Sequence, residues 1–465
     1  MKQKPSKVRV NKAASVCPEP RSGHSLLVSE DEGTVYVVGG HAQRGPLTDI
    51  WSYSPSTGDW KRLQTEATAE PSETAGPSPL LRLEYATCLV GPFIYLFGGF
   101  QSDGEDVSIL NDLWVFDLEF QCWNLISDEC SAPERSGHVA IAIDSARFLI
   151  HGGTCMGSRG DLWVYDTNSG QWEEIISTEA PCARSMHSAV LCQESRILAI
   201  FGGVTDQGDG PDANASPSYL NDLWVMHLTE NTKDWKWSMV NYSDFAPSPR
   251  DLPALVPLGS GVVLFGGFGF IELLGDMSDN EDGDNEHPEM TSPVSRSLSF
   301  TGNERLSLGQ SKSKALSTSD IKISNDRRSM SPSRKGKSPS KKEGKGVLFE
   351  EKTDENDDDD DDSMLAIDYL ADAWYIDLES GEAIEFDLSS MSIVGGEQTG
   401  EDGPSDSNVP RRGCQMVTTN SGKIVSFGGF DGESFYGMTE EIDVAALQDL
   451  CDEIQENEQL AVKVP

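Results

Sequence analysis

The chain has 465 residues and a formal net charge of -41, which argues against nucleic acid as a ligand because phosphate binding requires a net-positive surface. The nine cysteines are scattered without a Cys-x-x-Cys pair, a pattern typical of reduced intracellular thiols. Residues 1–15 are basic but contain no apolar core of a signal peptide, and no apolar run is long enough to span a bilayer. We therefore expect a cytoplasmic protein, with the nucleus as the alternative location, and no membrane span.

A short motif recurs along the chain. Asn111-Asp112-Leu113-Trp114 opens one copy, and Asp161-Leu162-Trp163 and Asp222-Leu223-Trp224 repeat it, with looser copies at 49–51 and 372–374. Each copy lies downstream of a Gly-Gly pair that closes a β-prone run. These pairs are Gly39-Gly40, Gly98-Gly99, Gly152-Gly153, Gly202-Gly203, Gly266-Gly267 and Gly428-Gly429. The regular recurrence indicates one repeated unit with a shared core.

An arginine precedes each Gly-Gly pair, and a second tryptophan follows most Asp-x-Trp copies. The arginines are Arg21, Arg82, Arg135, Arg184, Arg250 and Arg411, and the first and third begin an Arg-Ser-Gly-His motif. Turn residues separate the β-prone runs, so one unit predicts four short antiparallel strands. A sheet of that size cannot bury both faces alone, whereas six arranged radially pack on each other. Gly-Gly suits the place where neighbouring strands crowd.

This unit resembles the Kelch repeat. The resemblance implies an all-β fold, a six-bladed Kelch β-propeller over residues 7–445, and it covers the chain outside one insertion and the C-terminal tail. The spacing between the second tryptophan and the next arginine, counted back from Arg21, falls on Arg9. We therefore expect residues 7–11 to supply the fourth strand of the last blade, so that the N-terminal strand closes the ring and removes an open edge.

Residues 270–366 interrupt the fifth unit between its second and third strands. The segment is acidic at both ends and rich in serine, lysine and arginine between, and it includes the run Asp357–Asp362. Its low apolar content predicts a disordered insertion. Ser299, Ser331 and Ser338 have kinase-like contexts, so the insertion is either a phospho-regulated arm or a neutral loop with incidental sites. One hypothesis is that Asp357–Asp362 folds over the repeat-start arginines and competes with partners.

The six arginines carry the binding prediction. In Kelch domains that bind acidic peptides, the resemblance implies that arginines at repeat starts contact carboxylates, and bidentate pairing suits that role. The alternative is that each arginine is a structural brace bonded to carbonyls or to the aspartate of a neighbouring blade. His24, His138 and His187 are interpreted as structural, and no metal-ligand spacing, phosphate loop or catalytic triad is recognisable. We therefore expect no cofactor and no enzyme activity.

The C-terminal tail, residues 446–465, has apolar residues at helical spacing: Leu447, Leu450, Cys451 and Ile454. It predicts a docking helix, although Leu447 and Cys451 also resemble the start of an elongin-binding box of ubiquitin ligases.

The sequence as a whole predicts a monomeric protein-interaction scaffold or adaptor that binds a partner protein on the propeller face. That partner would be an acidic peptide or a small GTPase. The alternatives are a ubiquitin-ligase substrate receptor, a small-molecule-processing Kelch protein, and a Rab-GTPase effector in vesicle trafficking. The last rests on phrases at 82–86 and 150–153 that are similar to those of Kelch-only Rab effectors.

Overall fold

The computed structural model describes residues 17–30, 33–63, 79, 81–102, 106–177, 179–206, 218–243, 245–273, 364–386, 394–395, 411–437 and 439–461. The predictions for residues 7–11 and for the body of the insertion, with its three serines and its aspartate run, lie outside these ranges. Within them the chain forms short antiparallel strands and one α-helix, α1, over Val444–Ala461.

Six antiparallel sheets, numbered blades 1–6 by the order of their Arg and Gly-Gly motifs, make up the fold. Blade 1 comprises Ser25–Val28, Val35–Val38, Ile50–Ser54 and Asp59–Arg62; blade 2 comprises Ala86–Val90, Phe93–Phe97, Leu113–Asp117 and Cys122–Ser127; blade 3 comprises Val139–Ala142, Arg147–His151, Leu162–Asp166 and Gln171–Ile175. Blade 4 comprises Ser188–Cys192, Ile197–Phe201, Leu223–His227 and Trp237–Val240; blade 5 comprises Ala254–Leu258, Gly261–Leu273, Met364–Asp377 and Ala383–Phe386; blade 6 comprises Gln415–Thr418, Lys423–Phe427, Thr439–Asp443 and Val394–Gly395.

Shorter strands lie within the loops that join the second strand of a blade to the third. These are His41–Ala42 with Gly45–Pro46, Phe100–Ser102 with Val107–Ile109, and Val204–Thr205 with Ser218–Tyr219; Arg250–Asp251 adds to the long second strand of blade 5. A 3-10 turn, Thr232–Asp234, precedes the last strand of blade 4.

The blades form a closed ring. The first strand of every blade contacts the first strand of the next, and that of blade 6 contacts that of blade 1. One apolar cluster fills each of the six junctions, as in the cluster of Phe97, Phe148 and Tyr165 between blades 2 and 3. Each blade thereby buries the face that it could not bury alone, and the predicted six-bladed propeller is confirmed.

Backbone hydrogen bonds tie the blades at the Gly-Gly pairs. Gly153 N donates to the carbonyl of Arg184 at 2.8 Å, and Arg184 N donates to the carbonyl of Arg159 at 2.9 Å. The same pattern joins blades 2–3, 4–5, 5–6 and 6–1. Gly152 and Gly153 have φ of +68° and +96°, and a Cβ on Gly152 would lie 2.6 Å from the Arg184 carbonyl oxygen. Glycine is required because neighbouring blades touch here.

Inside each of blades 1–5 the repeat-start arginine binds the aspartate of its own Asp-x-Trp motif. In blade 3, Arg135 donates from Nη1 and Nη2 to the Asp161 carboxylate at 2.9 and 2.6 Å, and also to the Gly152 carbonyl. Trp163 Nε1 donates to the same carboxylate at 2.7 Å. Burial alone would raise the pKa of Asp161, but Arg135 lowers it below the usual value. In blade 6, Arg411 lies over the Tyr436 ring, 4.9 Å from its centroid.

The junction between blades 1 and 2 uses a tyrosine in place of the backbone pattern. Tyr85 occupies the position of histidine in the Arg-Ser-Gly-His motif, and its hydroxyl donates to the Val38 carbonyl at 3.2 Å. The same oxygen accepts from Gly40 N at 3.1 Å. Burial raises the pKa of Tyr85 to about 12, so the hydroxyl keeps the proton that it donates.

The ring closure differs from the prediction. The strand on the outer edge of Thr439–Asp443 is Val394–Gly395, which pairs with Glu441 and Glu440, so the structure places a strand from the blade 5–6 connection where residues 7–11 were expected. The counted spacing could not reveal this, because Val394–Gly395 belongs to a connection that lacks the repeat motifs. Side chains join blades 6 and 1 in addition to the backbone hydrogen bonds between Gly429 and Arg21: the Tyr53 hydroxyl donates to Glu441 at 2.6 Å.

Blade 5 and the C-terminal helix are the main additions to the repeat. Residues Gly261–Leu273 and Met364–Asp377 form a hairpin that extends well past Gly266-Gly267, and the insertion joins its two ends. The predicted helix is confirmed as α1, whose Leu447 and Cys451 are 1% and 0% exposed in the blade 5–6 cluster. The two residues that resemble an elongin-binding box therefore serve the propeller core.

Four histidines are buried near the Gly-Gly pairs: His24, His138, His151 and His187. Burial lowers the pKa of the first three to about 3 and holds that of His187 well below 6.5. His138 lies edge-on to Phe97, and nearby Arg135 further disfavours its charged form. The interpretation of His24, His138 and His187 as structural residues agrees with this packing.

We predict that Asp161→Asn will lower the free energy of unfolding by about 3–5 kcal/mol, because it leaves the Arg135 guanidinium buried without a counter-charge. Asp144→Asn is the matched control: its pair with Arg147 is 24–31% exposed, and its loss should cost about 0–1 kcal/mol. Urea unfolding of both variants checks this, and equal losses would contradict the brace role.

A second prediction concerns the stability of the fold at acidic pH. Because the folded-state pKa of the buried histidines lies below the unfolded value of about 6.5, stability is complete above pH 6.5 and falls as the pH drops towards 3. His138→Gln removes one such group, so the fall between pH 6 and 4 should become shallower by about 1.4 kcal/mol per pH unit. Urea unfolding across that range measures the slope, with His227→Gln, which removes an exposed imidazole, as the control. An unchanged slope in His138→Gln would show that this imidazole is charged in the folded protein.

Candidate functional site at the mouth of the propeller

The six arginines predicted to bind a partner are buried in the blades. Arg82 is 3% exposed and Arg21, Arg135, Arg184, Arg250 and Arg411 are 0% exposed. In blades 1–5 both terminal nitrogens are already bonded to an aspartate. In this conformation they cannot offer a guanidinium to a partner, which corrects the binding assignment in favour of the brace. The hypothesis that Asp357–Asp362 covers this ring loses its target for the same reason.

The exposure of the residue after each arginine differs from blade to blade. Leu83, Ser185 and Arg412 are half-buried, whereas Ser22, Ser136 and Asp251 are buried. These residues share one backbone contact. In every blade the residue after the arginine pairs across a short bridge with the residue that follows Gly-Gly. The first set is Ser22, Leu83, Ser136, Ser185, Asp251 and Arg412, and the second is His41, Phe100, Thr154, Val204, Phe268 and Phe430. We call these two sets the mouth. They surround the central opening on the face that carries the loops between second and third strands.

A ring of backbone in left-handed conformation fixes the mouth. The third residue of each repeat start has φ between 45° and 67°: Gly23, Glu84, Gly137, Met186, Leu252 and Gly413. Gly137 N donates to Glu84 O, Met186 N to Gly137 O, Leu252 N to Met186 O, and Gly413 N to Leu252 O. This conformation is costly for residues other than glycine, so the hydrogen bonds between blades must hold Glu84, Met186 and Leu252 in it.

An ion pair joins blades 5 and 6 at the mouth. Arg412 donates from Nε and Nη2 to the Asp251 carboxylate at 2.8 and 2.7 Å. Burial would lower the pKa of Arg412, but Asp251 raises it above the usual value. The Arg412 side chain is 36% exposed and its Cζ lies 5.3 Å from the centroid of the Phe268 ring. This guanidinium is therefore charged, stacked and accessible from the surface.

Glu84 of blade 2 adds a second carboxylate to the central opening. It accepts a hydrogen bond from Ser136 Oγ at 2.9 Å and interacts electrostatically with Arg412 and Asp251. Burial raises the pKa of Glu84 above its usual value. The opening thus combines two carboxylates with one arginine.

Six half-buried rings form what we call the aromatic band across blades 4, 5 and 6: Tyr219, Phe268, Phe270, Tyr369, Phe430 and Phe435. Successive centroids lie 4.6–6.3 Å apart, from Tyr219–Phe270 at 5.6 Å to Phe430–Phe435 at 4.6 Å. His41 of blade 1 continues the series, 5.4 Å from Phe435. Three of the rings stand on the extended hairpin of blade 5, so the band depends on that extension.

The described residues offer little for catalysis. Among them, no group of three or more histidine, cysteine or acidic side chains is placed to hold a metal ion. His151 Nδ1 and His187 Nε2 lie 3.1 Å apart, but both rings are buried at 3% exposure or less. Of the helices in the described ranges, none has the length and apolar character of a membrane span.

The mouth residues were missed at the sequence level, although a signal for them exists. Blades 1, 3 and 4 have serine after the arginine, whereas blades 5 and 6 have Asp251 and Arg412. This departure from the repeat marks the two blades that are joined by an ion pair between side chains at this position. The aromatic residues of blade 5 carried no such signal, since their positions depend on how far the hairpin extends.

Comparisons with known proteins agree with the fold. The profile of the KLHDC2/KLHL20/DRC7 Kelch-repeats domain matches residues 2–179 and 161–280. An F-box/kelch-repeat protein of Arabidopsis thaliana is 29% identical in an alignment of 279 residues that covers 55% of this chain and 53% of that protein. Host cell factor 1 from Homo sapiens and from Rattus norvegicus is 31% identical over 249 residues, or 51% of this chain.

The aligned part spans about half the length of the F-box/kelch-repeat relative and 9% of host cell factor 1. Similarity therefore extends to the repeats and not to those proteins as wholes. The profile match, the six Gly-Gly pairs and the six blades together show that the chain belongs to the Kelch-repeat family.

Proposed function

We propose that this chain is a non-enzymatic protein-interaction module that binds a partner protein at the mouth and the aromatic band. The observation that supports it is the band itself. Six rings form a continuous half-buried surface on one face, and contiguous aromatic surface of this kind marks interaction sites. Kelch-repeat relatives point in the same direction, since the family generally serves protein interaction.

The mouth is rigid, which favours recognition of a partner without a large ordering cost. The backbone ring through Gly137 and Met186, together with the Arg412–Asp251 pair, fixes the positions of side chains from different blades. A preorganised surface loses little conformational entropy on binding. The proposal keeps the expectation, made from the sequence, of a monomeric and cytoplasmic adaptor.

Regulation through the insertion is part of the proposal. The insertion leaves the propeller at Leu273 and returns at Met364, the ends of the hairpin that carries Phe268, Phe270 and Tyr369. Phosphate on Ser299, Ser331 or Ser338 would add about -1.5 to -2 charges each to a segment tethered beside the band. Such charge would alter the affinity of a charged partner.

A ubiquitin-ligase substrate receptor is the second candidate, supported by the F-box/kelch-repeat relative. The burial of Leu447 and Cys451 speaks against an elongin-type attachment through α1. A Rab effector or a small-molecule-processing protein gains no support from the mouth.

We predict that Tyr219→Ala with Phe270→Ala will abolish capture of partners that the wild-type chain retains. Affinity purification with mass spectrometry identifies those partners, and binding of the purified partner should weaken at least about tenfold, as expected for the loss of central aromatic contacts. The control is Phe120→Ala with Leu125→Ala, which removes apolar side chains that are 74% and 48% exposed at the outer edge of blade 2. Loss of the partner in the control alone would place the binding site elsewhere.

A further inference from the structure

We propose that the aromatic band binds a lysine or arginine side chain of a segment of the partner protein, with the cation over the rings and beside the carboxylates of blades 5 and 6. This inference rests on the proposed function and specifies its ligand chemistry. It differs from the expectation of an acidic peptide, which depended on arginines that the structure buries.

The protein already places one cation on this surface. The Arg412 guanidinium lies over the Phe268 ring at 5.3 Å and is held by Asp251. The arrangement combines the two interactions that stabilise a cation at a partly dehydrated site, a ring face and a carboxylate. The rings beyond Phe268 continue the same surface outward.

Carboxylates outnumber cations around these rings. The phenol of Tyr369 has three carboxylates, Asp251, Asp368 and Asp431, and one guanidinium, Arg412, as electrostatic neighbours. Asp251 is engaged bidentately by Arg412 and neutralises it. Asp368 and Asp431 are half-buried, so two negative charges remain to attract a cation.

Hydrogen bonds stabilise the ionised form of the Asp431 carboxylate. Its Oδ1 accepts hydrogen bonds from the backbone N–H groups of Glu433 and Ser434 at 2.9 and 2.7 Å, and Oδ2 accepts from the Tyr436 hydroxyl at 2.5 Å. Burial raises its pKa, but these hydrogen bonds lower it by more. A fixed negative charge therefore lies at the blade 6 end of the band.

The rings and carboxylates of the band favour a cationic segment as ligand over an apolar or an acidic one. An apolar segment would cover the rings but would dehydrate Asp368 and Asp431 without compensation, which is unfavourable. An acidic segment would meet these carboxylates and a chain of net charge -41. A basic segment gains from the rings, the carboxylates and the overall field together.

The test uses the purified full chain and labelled peptides of arginine, glycine and serine, with a matched peptide in which citrulline replaces arginine. Citrulline keeps the shape of arginine and lacks its charge. Fluorescence anisotropy should show that the arginine peptide binds at least about tenfold more tightly than the citrulline peptide, a difference of about 1.4 kcal/mol. Equal binding, or no binding of the arginine peptide, would overturn the inference.

Variants then locate the site. Phe270→Leu with Tyr369→Leu keeps apolar side chains and removes the rings, so affinity for the arginine peptide should fall about tenfold. Phe120→Leu, at an exposed ring outside the band, and Glu173→Gln with Glu174→Gln, which neutralise exposed carboxylates on blade 3, should leave it unchanged. Equal weakening by the blade 3 pair would show diffuse attraction to an acidic chain and overturn the proposal. Circular dichroism melting confirms that each variant is folded.

The results distinguish a failure of the cationic-ligand inference from a failure of the proposed function. If Tyr219→Ala with Phe270→Ala loses the natural partner while the arginine and citrulline peptides bind alike, the binding face stands and the cationic ligand is wrong. If the partner is retained as well, both are wrong.

Discussion

The buried pair between the repeat-start arginine and the Asp-x-Trp aspartate is the interaction on which blades 1–5 depend. The carboxylate accepts from the guanidinium and from the indole two residues later, while the same guanidinium donates to the first Gly-Gly carbonyl. The ion pair thus connects the start of the third strand, through the aspartate, with the loop before the first strand and the end of the second, through the arginine. A buried guanidinium is tolerable only because its donors are matched by oxygens. The Arg and Asp-x-Trp motifs recur in the sequence because each of these blades needs this ion pair.

The mouth contains the residues that follow the repeat-start arginines, which are not part of this brace. The brace needs the arginine itself, whereas the residue after it pairs through its backbone with the residue that follows Gly-Gly, and its side chain differs between blades. Blades 5 and 6 place Asp251 and Arg412 there, beside Phe268 and Phe430, whereas blades 1, 3 and 4 have serine at the same position. A symmetric scaffold thereby acquires an asymmetric face.

The repeat made the architecture predictable from sequence, and it also limited what could be predicted of the site. Gly-Gly, Arg and Asp-x-Trp recur because every blade needs the same contacts, so the six blades, the crowding at Gly152 and the burial of His138 follow from the pattern. The same recurrence made Arg135 look like one member of a binding ring, whereas its partner Asp161 was already present in the repeat. Arg412 went unnoticed because a ligand surface arises from side chains of different blades, whose distances no single repeat contains. The edge strand Val394–Gly395 was missed because it comes from a connection without repeat character.

The extended hairpin of blade 5 has a consequence for the integrity of the backbone. Gly261–Leu273 and Met364–Asp377 are paired along their length from Gly261–Asp377 to Leu273–Met364, and each is also paired with a further strand of its own half. A protease cut between residues 273 and 364 would sever the chain without removing any of these pairings. The two fragments would stay joined by the shared sheet and by the closed ring of blades. The cleaved protein would therefore behave as a single folded species in size-exclusion chromatography until it was denatured.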